Sequence, residues 1–554
     1  MTEPCNIAAI LPRLAAEAPE RIAMRCPGSR GGDGLARYDL TLTYGELDAR
    51  SDAIAAGLAK HGIGRGSRTV VMVRPGPEFF LLMFALFKAG AVPVLVDPGI
   101  DKRALKQCLD EARPEAFVGI PLAQLARLLL GWGRGHVRRV VTVGARWGWG
   151  GATLAQVEHD GAGAGPQLAA TAPDEIAAIL FTSGSTGVPK GVVYRHRHFV
   201  AQIDMLREAF GMRPGGVDLP TFPPFALFDP ALGLTSIIPD MDPTRPAKAD
   251  PRKLVDAIAR FGVTQLFGSP ALIDVLARHG AKLPTVRRVT SAGAPVPPAV
   301  VARMRALLPD DAQLWTPYGA TECLPVAVIE GRELQGTREA TERGAGTCVG
   351  RPVPPNVVRI IRIADAAIAD WSDDLVVPDG EVGEITVAGP TATDEYFRRP
   401  EATALAKIRE RLPGGGERIV HRMGDLGWFD AQGRLWFCGR KSHRVETAQG
   451  ALYTEQVEPV FNTHPQVRRT ALVGVGRRGA QRAVLCVELH RKATRRERDR
   501  IEGELLRLGG SYPHTARVER ILFHRGFPVD IRHNAKIGRE KLAAWAAKKL
   551  GAKA

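Results

Sequence analysis

The stretch Phe181-Thr-Ser-Gly-Ser-Thr-Gly-Val-Pro-Lys-Gly191 decides how the rest of the chain is read. The apolar run 176–181 has the length of a buried strand, and it leads straight into the glycine-rich loop. Gly184, Gly187 and Gly191 let the backbone bend so that several amide N–H groups can point at one anion. Thr182, Ser183, Ser185 and Thr186 add hydroxyl donors, and Lys190 adds a mobile positive charge. Such a set suits a triphosphate. It is not a Walker A loop, because the GxxxxGK[ST] spacing is missing. A mere linker would need a strand to enter a Gly/Ser run by chance and Pro189-Lys190-Gly191 to close it by chance.

Working outward, helix and strand signals alternate. Thr43 reads as an N-cap with Glu46 completing a capping box, and Leu47, Ile54 and Leu58 follow at helical spacing. Runs 69–73 and 92–96 read as strands on either side of an apolar helix at 79–87, the order that makes a parallel, doubly wound sheet. The glycine-rich run 160–166 is a surface loop, and alternation resumes through 254–276 and 286–291. From 357 to 387 the pattern turns strand-rich, broken by Pro378-Asp379-Gly380. After a strand at 435–438, Gly439-Arg440-Lys441-Ser442-His443-Arg444 reads as a charged, flexible connector. A helix at 454–461, strands at 470–475 and 483–490 and a basic helix follow. The expected fold is therefore α/β. A large N-terminal domain of doubly wound sheets with a small β-rich subdomain spans 1–440, and a small mobile α+β domain spans 441–554. Gly474-Val-Gly-Arg-Arg-Gly479 matches GxGxxG by letter, but a strand follows where a dinucleotide site needs a helix, so it reads as a hairpin turn.

The 554 residues carry a formal charge of +16 with 45% hydrophobic side chains, a globular balance. The arginines are spread along the chain with no aromatic-basic motif, which argues against nucleic acid. The seven dispersed cysteines include no CxxC and suit a reducing cytoplasm. No signal-peptide pattern opens the chain. Its most apolar stretch, 79–96, is broken by Lys88, Gly90 and Pro93 and does not read as a membrane span.

The loop 181–191 resembles the phosphate signature of the adenylate-forming superfamily, which holds acyl-CoA synthetases, peptide-synthetase adenylation domains and luciferases. Further segments resemble its motifs in family order: Leu42-Thr-Tyr-Gly-Glu-Leu47, Leu86-Phe-Lys-Ala-Gly90, Ser291-Ala-Gly-Ala-Pro295, Tyr318-Gly-Ala-Thr-Glu322, Met423-Gly-Asp425, Gly439-Arg440 and Asn534-Ala-Lys536-Ile-Gly538. The resemblance implies that ATP and Mg²⁺ are used. Gly293, Ala294 and Pro295 would wrap adenine and Tyr318 would belong to the nucleotide site, while Asp425 would accept from the ribose hydroxyls with Arg440 close by. Thr321 would bond the α-phosphate, Glu322 would ligate Mg²⁺, and Lys190 would grip phosphate. Lys536 would offset charge as the carboxylate nears the α-phosphate. Phe225, Ala226, Phe228 and His196 would belong to the acid pocket, His196 in an ordering rather than a catalytic role.

Departures from the family pattern narrow the acid. Ala226 stands where acyl-CoA synthetases often have a histidine, leaving apolar room, and Asp229 keeps an amino acid open as substrate. Ser442 replaces the usual hinge Asp or Lys, and Val445-Glu-Thr-Ala-Gln-Gly450 lacks the basic residues of the CoA-site loop. Through the segments Thr221-Phe-Pro-Pro-Phe-Ala-Leu-Phe-Asp229, Tyr318 to Pro325 and Pro528-Val-Asp-Ile-Arg-His-Asn-Ala-Lys536, the chain as a whole resembles most closely the β-lactone synthetases of bacterial long-chain olefin biosynthesis. This implies a 2-alkyl-3-hydroxy long-chain fatty acid whose own 3-hydroxyl closes the ring. A long-chain acyl-CoA synthetase, an acyl-AMP ligase and a silent scaffold stay open as alternatives. So do partner enzymes of the same lipid pathway and peripheral membrane attachment.

Overall fold

The computed structural model describes residues 5–96, 100–182, 189–529 and 537–551, with backbone alone at Lys102 and Thr182. Ile176–Thr182 is a strand that turns back on itself: it pairs antiparallel with Lys190–Arg195, Phe181 opposite Gly191 and Thr182 opposite Lys190. This hairpin forms one edge of a seven-stranded sheet whose other pairings are parallel. The expected capping box at Thr43 and Glu46 starts the helix Tyr44–Lys60, and the apolar helix Pro77–Lys88 buries every side chain from Phe79 to Lys88. Lys88 can be buried because Asp48 and Asp52 each lie 2.6 Å from its Nζ.

The second sheet has fourteen strands. Val217–Pro220, Gln265–Gly268, Arg288–Ser291 and Gln313–Ala320 lie parallel, each pair of neighbours in register. From Cys323–Glu330 onward pairing becomes antiparallel and passes without a break into the strand-rich part expected near 357–387. The β-rich unit is thus an extension of a doubly wound sheet, not a separate layer. The architecture is α/β, with a smaller α+β unit at the C-terminal end.

That smaller unit has its own core. Val467–Val475, Arg482–Leu489 and Arg520–Phe523 form a three-stranded sheet, backed by apolar residues drawn only from beyond Arg440. Gly474–Gly479 joins two antiparallel strands, as a hairpin turn should. The charged connector makes specific contacts in this arrangement. Lys441 donates to Glu384 at 2.8 Å, Arg444 pairs with Asp365 at 2.7 Å, and Lys441–His443 is a 3-10 turn. Glu384 is itself buried against Arg422, so its second oxygen is left for Lys441. Among the described residues, no helix is long and apolar enough to cross a membrane.

Candidate active site

Parallel strands expose their carboxyl ends as a natural ligand edge, since the loops that follow them converge there. Four expected groups lie along that edge of the fourteen-stranded sheet. Phe225 and Ala226 follow Val217–Pro220, Gly293 to Pro295 follow Arg288–Ser291, and Tyr318 lies near the end of Gln313–Ala320. Thr321 and Glu322 form the two-residue tip joining Gln313–Ala320 to Cys323–Glu330, with Ala320 opposite Cys323. Gly319 has to be glycine here, because a Cβ would come within 2.9 Å of the Cys323 carbonyl oxygen and the Leu324 side chain. Gly293, at φ +100, takes a backbone conformation that other residues resist.

Asp425 is brought in by a kink in its strand. Gly424 has φ +67, and the pairing of Gly383–Ala388 with Glu417–Phe429 shifts register at this point. Asp425 then faces Arg440 on the next strand, with Arg440 Nη1 3.1 Å from its Oδ1, while the Tyr318 hydroxyl donates to its Oδ2 at 2.7 Å. Burial raises the Asp425 carboxyl above its ordinary value, opposed by Arg440 and Tyr318. Its Oδ1 is buried yet accepts no hydrogen bond, and Ser291 Oγ beside the adenine segment is likewise unpartnered. A buried acceptor without a donor, next to a guanidinium, fits a pair of ribose hydroxyls.

Glu322 is held by residues that sequence reading missed. The Tyr396 hydroxyl donates to Glu322 Oε1 at 2.6 Å, and Thr393 donates to the Glu322 carbonyl through both its N–H (2.9 Å) and its hydroxyl (3.0 Å). Lys190 Nζ lies 4.8 Å from the centre of the Tyr396 ring, so one tyrosine links the loop lysine to the carboxylate. Behind them Lys407 is fully buried, donates to the Thr393 carbonyl and hydroxyl, and is pushed down to about 8 by burial, against the pull of Glu322. The segment carrying Thr393 and Tyr396 lies along Lys190–Arg195. Phe397 N–H donates to the Gly191 carbonyl at 2.7 Å, and Asp394 pairs with Arg195 and Arg197. Tyr194 completes the joint by donating to the Thr321 carbonyl at 2.5 Å, which ties one sheet edge to the tip of the other. Thr393, Tyr396, Lys407 and Tyr194 lie in no short motif; only the folded chain brings them to Glu322 and Thr321.

Changing Tyr396→Phe keeps the ring under Lys190 and removes the hydrogen bond to Glu322. A hydrogen bond to a charged group contributes about 1.5–3 kcal/mol. We expect kcat/KM for pyrophosphate release to fall on the order of tenfold to a hundredfold. An unchanged rate would mean that Tyr396 does not position Glu322.

Several expectations need correction or relocation. Gly191 has no unusual φ; its lack of a side chain matters because a Cβ would strike the Phe181 ring at 2.8 Å, so it serves packing and not loop bending. His196 is buried at the start of His196–Phe210, and its Nδ1 accepts from the Ile7 N–H at 3.2 Å. Burial pushes its ring down to about 4, and it tethers the N-terminal turn. His198 also stays neutral, pushed to about 3 by burial and the arginines beside it. Ala226 is sealed in the apolar core, so the room expected beside it does not open to solvent. Phe225 packs edge-on to Phe267 at 4.6 Å, and Phe228 lies 6.2 Å from Phe199. The expected contacts of Ser183, Gly184, Ser185, Thr186, Gly187 and Lys536, and of the Thr182 side chain, lie outside the described residues.

Asp229 does not face a ligand. It is buried, Ser236 donates to its Oδ2, and it hydrogen-bonds Asp218 on the neighbouring strand. Burial raises Asp218 to about 6, and burial with the neighbouring charge raises Asp229 well above its ordinary value, so the pair retains a proton. A carboxyl used in this way cannot anchor an ammonium group. A raised carboxyl means that the folded chain holds a proton the unfolded chain releases. Stability from this pair is therefore full below the ordinary carboxylate range, declines as pH rises through about 6, where Asp218 gives up its proton, and declines further as Asp229 follows at higher pH. Asp229→Asn should flatten that decline, because its amide can donate to Asp218. Melting temperature followed from acid to neutral pH checks this; a slope equal to the wild type's contradicts it.

Among the described residues, no three or more His, Cys, Asp or Glu side chains gather as a metal site. Glu322 fits a cation that arrives mainly ligated by phosphate oxygens, which suits Mg²⁺ with its preference for few protein carboxylates.

Comparison with known proteins agrees with this geometry. The family description "AMP-binding enzyme" matches residues 11–397. An olefin beta-lactone synthetase of Xanthomonas campestris pv. campestris is 74% identical over 547 residues, covering 99% of this chain and 98% of the relative. One of Stenotrophomonas maltophilia is 72% identical over 551 residues, covering 99% of both. In fold, the chain is similar to an amide bond synthetase of Marinactinospora thermotolerans, with TM-score 0.76, 24% identity and coverage of 97% and 99%.

Proposed function

The chain belongs to the AMP-binding enzyme family and is an ATP-dependent, adenylate-forming ligase; from that premise we propose that its substrate is a 2-alkyl-3-hydroxy long-chain fatty acid and its product a β-lactone. The carboxylate oxygen attacks the α-phosphorus of ATP, the bond to the β-phosphate bridge breaks, and pyrophosphate leaves. The 3-hydroxyl oxygen then attacks the activated carbonyl carbon. The carbon–oxygen bond to phosphate breaks, AMP departs, and the hydroxyl proton is released. An internal nucleophile needs no second acceptor.

The residues divide this work. Asp425, Arg440 and Tyr318 orient the nucleoside, and Lys190 and the loop ahead of it hold the phosphates. Glu322, fixed by Tyr396 and Thr393, would hold Mg²⁺ carried with the triphosphate, which would supply charge neutralisation there. Lys536 meets the approaching carboxylate. The observation that carries the lactone step is likeness above 70% identity over nearly the whole chain to two proteins named for that product. The occupied Asp229 supports it by removing the anchor an amino acid would use.

The test is incubation with ATP, Mg²⁺ and a racemic 2-alkyl-3-hydroxy acid, with and without coenzyme A. Lactone and AMP formed without coenzyme A support the reading. A thioester that strictly needs coenzyme A overturns it, as does the absence of pyrophosphate release with every fatty acid tried.

A further inference from the structure

A buried oxygen without a donor lies beside the Thr321–Glu322 tip. It is Oε1 of Gln202, on the helix His196–Phe210; the residue is 2% exposed, and no donor reaches this atom among the described residues. The other end of the amide is engaged. Its Nε2 donates to the Leu324 carbonyl at 3.3 Å and to the Tyr194 hydroxyl at 3.4 Å. A carbonyl oxygen only accepts, so the nitrogen has to face Leu324 and the amide oxygen is left on the other side. The Tyr194 hydroxyl gives its own proton to the Thr321 carbonyl, so it does not serve Oε1 instead. A buried acceptor in this state is costly until something arrives to pair with it.

Its position relates it to the acid. Leu324 lies two residues past Glu322, and Tyr194 bonds the backbone of Thr321, so the amide sits one hydrogen bond behind the tip. One turn back on the same helix, Phe199 stacks on Tyr194 with ring centres 4.6 Å apart and lies 6.2 Å from Phe228, a residue expected in the acid pocket. An acid with its carboxylate at the tip and its apolar part toward Phe228 passes Gln202. A 2-alkyl-3-hydroxy acid that enters as its carboxylate carries a single hydrogen-bond donor, the 3-hydroxyl; the carboxylate oxygens accept, and the alkyl chains do neither. The unpaired acceptor matches that one donor.

We propose that Gln202 Oε1 accepts the hydrogen bond of the substrate's 3-hydroxyl and thereby sets the preference for a hydroxy acid. The assignment rests on the hydroxy-acid reading of the substrate. Gln202 binds and selects: a neutral amide oxygen is too weak a base to take the proton when the ring closes. An O–H directed at the amide leaves the lone pairs of the hydroxyl oxygen free for the carbonyl carbon. An acid without the hydroxyl leaves Oε1 buried and unpaired, which is how a polar site rejects an analogue that lacks the matching group.

Single-turnover pyrophosphate release tests it, with a 2-alkyl-3-hydroxy acid and with the same 2-alkyl acid lacking the hydroxyl. The wild type should favour the hydroxy acid in second-order rate by roughly tenfold to a hundredfold. Gln202→Met, similar in shape but without the acceptor, and Gln202→Leu should each bring that ratio down to about one. Wild-type ATP affinity in both variants shows that they fold. A purely structural role for Gln202 would slow both acids alike and keep the ratio. A wild type that forms lactone yet handles the two acids equally overturns the assignment while the lactone reading stands, and so does a Gln202→Met variant with the wild-type ratio. A wild type that forms no lactone overturns both.

Discussion

Glu322→Gln should remove most of the adenylation activity while leaving the fold intact. Glutamine keeps the shape of the side chain, and its oxygen can still accept from the Tyr396 hydroxyl, which lies 2.6 Å from Oε1 in the wild type. The Thr393 bonds to the backbone carbonyl do not involve the side chain at all. Only the negative charge is lost. A cation carried with the triphosphate would then lack its protein carboxylate, and the charge neutralisation it would supply falls by several kcal/mol, on the order of 10²–10³ in rate. Pyrophosphate release measured across a Mg²⁺ titration should show the lower rate and a requirement for more metal. A variant with the wild-type rate and metal dependence would show that Glu322 is not the ligand.

Lys536→Ala should separate chemistry from nucleotide binding. The lysine is expected to act when two anions approach each other, a charge that peaks in the transition state. Removing such a group typically costs on the order of 10²–10³ in rate. Nucleotide affinity should change little, because Asp425, Arg440 and Tyr318 lie on strands of the large sheet and hold each other. Equilibrium binding of ATP beside single-turnover pyrophosphate release separates the two effects. Loss of ATP binding would mean that Lys536 helps to hold the nucleotide.

What could be read in the sequence was whatever is local. The capping box at Thr43, the strand into the loop, the YGATE tip and the hairpin at Gly474–Gly479 each lie within a few residues, so spacing carries the information. Tyr396, Thr393, Lys407 and Tyr194 stayed hidden because their partners are far away in the chain. Tyr194 reaches Thr321 across 127 positions, and Tyr396 reaches Glu322 across 74. Nothing in the run Lys407–Arg411 announces a buried lysine. Gly191 was legible as a glycine but not for its reason, since the Phe181 ring that excludes a side chain there belongs to the paired strand. The charges of the connector after Arg440 were visible in the sequence, while their partners, Glu384 and Asp365, were not. The helix Pro121–Leu130 has a clear apolar face, and periodicity alone would have turned that face inward.

The central claim is that the carboxylate is joined to the α-phosphate of ATP, and isotope transfer tests it most directly. A 2-alkyl-3-hydroxy acid labelled with oxygen-18 in its carboxyl group is turned over with ATP, and the released nucleotide is weighed by mass spectrometry. Attack at the α-phosphorus predicts AMP carrying one labelled oxygen, with unlabelled pyrophosphate. Label in inorganic phosphate together with ADP, or unlabelled AMP, would contradict the account.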